Sequence, residues 1–139
     1  MDLSLIFFLS AVIIMGALLF ALISSNKKGA RKLDVEHYRA KCLEIEHQLK
    51  KDEPSSYHMS VLNADKLVDR ALKGRGIKGQ TMGERMKNAA SLFTDRNGIW
   101  AAHKLRNRIA HESDVAVTYD EARYALIGFR KALKDLGAI

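Results

Sequence analysis

The chain has a single cysteine, Cys42, and a single proline, Pro54. A lone cysteine excludes any disulfide within the chain, and no Cys/His cluster has zinc-ligand spacing. It fits a reducing compartment. Some juxtamembrane cysteines are acylated, but Cys42 lies well beyond the apolar N-terminal run and on a helical apolar stripe, which favours simple packing. There is no strand-like run, no internal repeat and no low-complexity tract. The first 26 residues lack Lys and Arg altogether and hold one acid, Asp2. The remainder therefore carries all 23 basic residues against 15 acids, a net of +8. A domain that basic favours polyanions, either nucleic acid or an anionic membrane leaflet, although basic domains beside membranes are also common without such a role.

From Leu3 to Ile23 the chain is apolar, interrupted only by Ser4, Ser10 and Gly16. About 20 such residues cross a hydrocarbon core of about 30 Å. A secretory signal would carry its positive charges first. Here they follow, as Lys27, Lys28, Arg31 and Lys32. The positive-inside rule then predicts a single-pass membrane protein with its N-terminus outside and its C-terminal domain cytoplasmic.

The spacing predicts an all-α chain in three parts: a transmembrane anchor over 1–26, a juxtamembrane amphipathic helix and linker over 27–53, and a four-helix bundle over 54–139. Between Ala30 and Lys51, residues Val35, Tyr38, Cys42, Ile45 and Leu49 recur at alternating intervals of three and four, a heptad seam. A seam this narrow could pair two chains or lie on the bundle. Lys51 to Ser56 is the break, with Ser55 or Ser56 available to cap the next helix. The first bundle helix, Tyr57 to Lys73, has a broad apolar face through Val61, Leu62, Ala64, Leu67, Val68, Ala71 and Leu72. Asp65 and Asp69, like Lys66 and Arg70, read as its solvated face. Gly74 and Gly76 end it, and Arg75 and Lys78 in the following loop could guide a phosphate backbone. Thr81 to Glu84 and Thr118 to Glu121 are capping boxes opening the second and fourth helices. Asn97-Gly98 marks a turn before the third, expected from about Ile99 to Glu112.

That third helix is the one with chemistry on it. At about 100° per residue, Ala102, Leu105 and Ile109 share a core stripe. His103, Asn107 and His111 follow one another on nearly the opposite side, flanked by Arg106. Lys104 and Arg108 border that stripe and are candidates for binding backbone phosphate, or simply solvated. Trp100 could stack on a base or pack at the helix start. His103 could be a second proton-transfer group or an RNA contact, and the stronger expectation is a structural or interfacial histidine. Arg106 could equally pair with a nearby acid, and His111 could cap its helix C-terminus.

Arg106-Asn107-Arg108-Ile109-Ala110-His111 also matches the Arg-x(4–6)-His signature of HEPN domains, with the preferred polar residue directly after the Arg. The resemblance spans about residues 56–139. HEPN domains are small all-α bundles, and many are metal-independent RNA endonucleases that bring two motif copies together in a dimer. The resemblance implies His111 as the acid/base, Arg106 as the phosphate clamp, and Asn107 as the residue that orients His111 or contacts substrate. These residue types suit RNA cleavage, since His titrates near working pH and the Arg fork fits phosphate oxygens. No metal or cofactor is called for. The expected function is a membrane-anchored endoribonuclease acting as a homodimer on RNA. The alternatives are a non-catalytic membrane-tethered interaction module, and a basic domain that only holds nucleic acid near the membrane. The RNA target, and any neutralising or complex partner, are left open.

Overall fold

A computed structural model describes residues 2–26 and 31–139, with side chains at 2–22 and 31–139. Lys27 and Lys28 of the basic cluster, and Ala30 at the expected start of the juxtamembrane helix, lie outside the described residues. The chain divides into two compact units, Met1–Arg31 and Lys32–Ile139.

The first unit is one helix, α1 (Leu3–Asn26). Its Leu3–Leu22 segment has a mean hydropathy of 2.8, and none of it is buried. At about 1.5 Å per residue that segment is long enough, and apolar enough, to cross a membrane. Ser10, one of its few polar residues, donates its hydroxyl to the Phe7 carbonyl at 2.8 Å. The hydroxyl is thereby satisfied within the helix, as a hydrocarbon environment requires.

The second unit is helical, with no strand among the described residues. It runs α2 (Val35–Gln48), α3 (Pro54–Gly74), α4 (Met82–Asn88), a 3-10 turn (Ala90–Leu92), α5 (Arg96–His111) and α6 (Tyr119–Asp135). Helix α3 packs on α2, α5 and α6, and α5 packs on α6. Sealed side chains from four elements meet in the core: Val61, Val68 and Leu72 of α3, Met86 of α4, Ile99 of α5, and Phe129 and Leu133 of α6. These are the apolar stripes read at helical spacing in the sequence.

The heptad helix belongs to this unit. Cys42 and Ile45 are buried in the same core, and Tyr38 and Leu49 pack against it half-buried. Arg130 of α6 donates from Nη1 to both carboxylate oxygens of Glu46 at 2.6 and 2.7 Å, tying α6 to α2. Of the two uses open to the seam, it lies on the bundle, and the boundary between compact units falls at Arg31 rather than at Pro54. The break around Pro54 is a tight turn within one unit. Glu53 N–H donates to the Lys50 carbonyl, and the Ser56 hydroxyl donates to the Glu53 carbonyl at 2.7 Å. Pro54 opens α3 instead of delaying it, because the first helical position has no N–H to satisfy and its φ suits the ring. Ser55 and Ser56 are therefore inside the helix and do not cap it.

Two other helix starts differ from expectation for the same kind of reason. Asp34 caps α2, accepting from His37 N–H at 3.1 Å, so α2 begins at Val35. Asp95 accepts from Gly98 N–H at 2.8 Å, and this cap pulls Asn97 and Gly98 into the first turn of α5. The expected capping box at Thr118 forms in both halves. At Thr81 the hydroxyl accepts from Glu84 N–H, but the Glu84 carboxylate reaches Gln80 N–H instead of closing the box. Gly128 sets the closest approach of α5 and α6: a Cβ there would lie 2.8 Å from the Gly98 carbonyl oxygen.

Candidate functional site

The polar face of α5 begins beside a cleft of about 960 Å³ bounded by α3, α4 and α5. At its wall sits Asp65, buried on α3. One carboxylate oxygen is 2.8 Å from His103 Nδ1, and the other is 3.1 Å from Arg106 Nε. Opposite a carboxylate oxygen the ring nitrogen is the donor, so Nδ1 carries a proton and Nε2 is left for another partner. Arg106 Nη1 in turn donates to Asn107 Oδ1 at 2.8 Å. One buried acid thus sets the orientation of three α5 side chains. Trp100 stands edge-on to His103, with ring centres 6.1 Å apart at 77°.

A second, partly buried ion pair supports this wall one turn along α3. Arg85 of α4, 6% exposed, contacts Asp69 Oδ1 through Nε and Nη2, each at 2.7 Å. Its Nη1 donates to the Gly79 carbonyl at 2.6 Å. Lys73 Nζ lies 2.7 Å from the other Asp69 oxygen. Burial pushes the Asp69 carboxyl up, but hydrogen bonds from Lys73 and Arg85 and their positive charges outweigh it and hold the group below its ordinary range.

The expected site residues separate into two groups. Arg106, Asn107, His103 and Lys104 line the cleft. Arg108 and His111 do not. Arg108 is exposed, with Nε 3.9 Å from Glu112 on the same helix. His111 is exposed at the last position of α5, and its side chain makes no hydrogen bond to any described residue. The motif's Arg and His therefore do not converge within one chain. Ala110, between them on the helical wheel, is exposed, so the C-terminal part of this face is uncovered.

Asp65 corrects the sequence reading. Asp65 is not on a solvated face: it lies four residues after Val61 and three before Val68, inside the apolar stripe of α3. His103 is buried where α3 covers the N-terminal half of α5, as a structural histidine would be. Arg85 carries no motif and escapes the sequence reading altogether. Its signal is its position on the apolar side of α4, between Met82, Met86 and Ala89. A charge inside an apolar stripe requires a partner: Asp65 has the buried His103, and Arg85 has the half-buried Asp69.

Among the described residues, no three His, Cys, Asp or Glu side chains are grouped as metal ligands would be. Comparison with known proteins found no matching family model, no similar curated protein and no similar solved structure.

Proposed function

We propose that this chain is a membrane-anchored, metal-independent endoribonuclease of the HEPN type, working as a homodimer. Its N-terminus lies outside and the helical unit in the cytoplasm. The observation that carries the reading is the half-uncovered polar face of α5. Arg106 is held at one edge by Asp65 and Asn107, and His111 is exposed at the other with no partner among the described residues. Two such faces brought together would supply a positioned cation and an unpaired imidazole on either side of a phosphate.

The chemistry then needs few parts. The 2′-hydroxyl of RNA attacks the adjacent phosphorus, forming the O2′–P bond as the P–O5′ bond breaks. His111 takes the proton from O2′ or delivers one to O5′. Arg106 offers its outer N–H groups to the charge growing on the phosphate oxygens. The products are a 2′,3′-cyclic phosphate and a 5′-hydroxyl.

A second reading is a non-catalytic membrane-tethered module that binds RNA or a protein. The Arg106–Asp65 ion pair favours it, because a guanidinium already neutralised by a buried carboxylate has less charge to offer a phosphate. The deciding experiment incubates the full chain in detergent micelles with mixed RNA and EDTA, beside Arg106→Ala and His111→Ala. Cleavage that survives chelation, leaves cyclic phosphate ends and disappears in both variants supports the nuclease. Folded wild-type protein without cleavage assigns the chain to the second reading.

A further inference from the structure

We infer that the cleft between α3, α4 and α5 is a nucleotide subsite for single-stranded RNA, with a base seated at Trp100 and His103 and flanking phosphates on Lys66, Lys87 and Lys104. It rests on the RNA-directed reading above and adds a second place, away from His111, where the strand is held.

The charge pattern of the cleft carries the argument. Five cations line the cleft against three carboxylates, and the two aspartates are ion-paired while Glu84 keeps its charge. Asp65 faces His103 and Arg106, Asp69 faces Arg85 and Lys73, and Glu84 accepts from Gln80 N–H. Lys66, Lys87 and Lys104 line the same cleft, are exposed, and make no ion pair with any described residue. The unbalanced charge is therefore positive and sits at the rim. The interior offers a different chemistry. Trp100 is half-buried, and His103 presents Nε2, since Nδ1 is taken by Asp65. That nitrogen is not among the sealed, unpartnered polar atoms. Asn107 contributes a side-chain amide beside them.

A flat ring with polar edges, attached to phosphates, satisfies both parts together: the ring meets the indole and imidazole, and the phosphates meet the lysines. An acidic peptide would use the lysines alone. A lipid headgroup would likewise leave the aromatic interior unused. The volume of about 960 Å³ suits a nucleotide and its neighbours. Lys104 and Asn107 are one helical turn apart on α5, so a strand leaving the cleft along that helix runs toward Ala110 and His111.

Trp100 is the only tryptophan in the chain, so its fluorescence reports this cleft alone. The experiment titrates the full chain, in detergent micelles, with a short 2′-O-methyl oligoadenylate. That strand cannot be cut, because its internal nucleophile is blocked. Saturable quenching is expected. Lys66→Glu combined with Lys104→Glu is expected to weaken it by about tenfold or more, while Lys134→Glu, on α6 and outside the cleft, changes it far less. Polyphosphate, which has charge without bases, should not change the emission. Circular dichroism checks that each variant keeps its helices. Three results would overturn the subsite: no quenching, equal quenching by polyphosphate or by phosphatidylserine vesicles, or quenching indifferent to charge reversal. Cleavage of ordinary RNA without a Trp100 response overturns the subsite and leaves the nuclease standing. Quenching that meets all the expectations, without cleavage, supports the subsite and removes the nuclease.

Discussion

Asp65 Oδ1 lies 2.8 Å from His103 Nδ1, and this contact joins the middle of α3 to the middle of α5 inside the protein. The same carboxylate also faces Arg106, so one buried acid holds a histidine that lines the cleft and an arginine of the candidate site. Asp65→Asn keeps the shape and removes the charge. It is expected to lower unfolding free energy by about 1.5–3 kcal/mol, the range for hydrogen bonds to charged groups. Chemical denaturation of the variant beside the wild type measures this. His103→Gln in the Asp65→Asn background should then cost less than it does alone, because the two changes remove the same interaction.

The Asp69–Arg85 pair makes a sharper stability prediction. Arg85→Met leaves Asp69 with Lys73 alone and frees the Gly79 carbonyl. Breaking a fully buried pair from one side costs about 3–5 kcal/mol; Asp69 is only half-buried and keeps Lys73, so the expected loss is smaller, about 1–3 kcal/mol. Thermal unfolding at neutral pH reads it directly.

Acid should act on the same pair. The Asp69 carboxyl is held below its ordinary range, so its charged form is favoured in the folded state. Asp95 is also held low, by the Gly98 N–H and Lys131, and Glu121 by Thr118. A group with a depressed folded value contributes stability above its unfolded value and loses that contribution as pH falls through the folded one. The melting temperature should therefore be level near neutrality and fall as pH drops below about 4. Asp69→Asn should be less stable near neutrality and show a shallower acid limb. A limb as steep as that of the wild type would show that Asp69 is not one of the groups responsible.

These polar contacts mark the limit of what the sequence makes legible. The helices and the core stripes can be read, because Val61, Val68, Leu72, Phe129 and Leu133 recur at helical spacing and nothing competes with that pattern. The role of Asp65 is legible only in retrospect. Its neighbours three and four residues away are apolar, but its partners lie about 40 residues along the chain. The start of α5 differs from expectation because Asn97-Gly98 signals a turn, whereas the Asp95 cap supplies enough hydrogen bonding to draw both residues into a helix. The seam of α2 reads the same whether it meets another chain or its own bundle. Arg130 and Glu46, far apart in sequence, accompany the second outcome.

The meeting of α5 with α6 rests on the absence of one carbon. Gly128→Ala would place a methyl group 2.8 Å from the Gly98 carbonyl oxygen and 3.0 Å from its carbon. Backbone cannot yield as a side-chain tip can, so the helices must separate. Overpacking of this kind costs about 1–3 kcal/mol. Gly16→Ala on α1, where a Cβ meets nothing within 4 Å, is the matched control and should leave unfolding of the helical unit unchanged.

The apolar helix α1 makes its own prediction. Ile13 lies near the middle of the Leu3–Leu22 segment. A lysine there adds about 2.5–3.5 kcal/mol to insertion. Wild-type chain is expected to stay with membranes through alkaline carbonate extraction, and Ile13→Lys to be partly released. Equal release of both would show that α1 is not embedded.

The contact between Gly98 and Gly128 also bears on how α5 delivers its side chains. It seats the start of the helix, backbone against backbone, Leu105 and Ile109 hold the remainder on the core, and Ala110 and His111 lie exposed at the far end. Helix α5 is in this sense a seated beam: a second copy that meets its exposed tip bears on a stiff rod whose alignment is set by the glycine seat and the core contacts behind it.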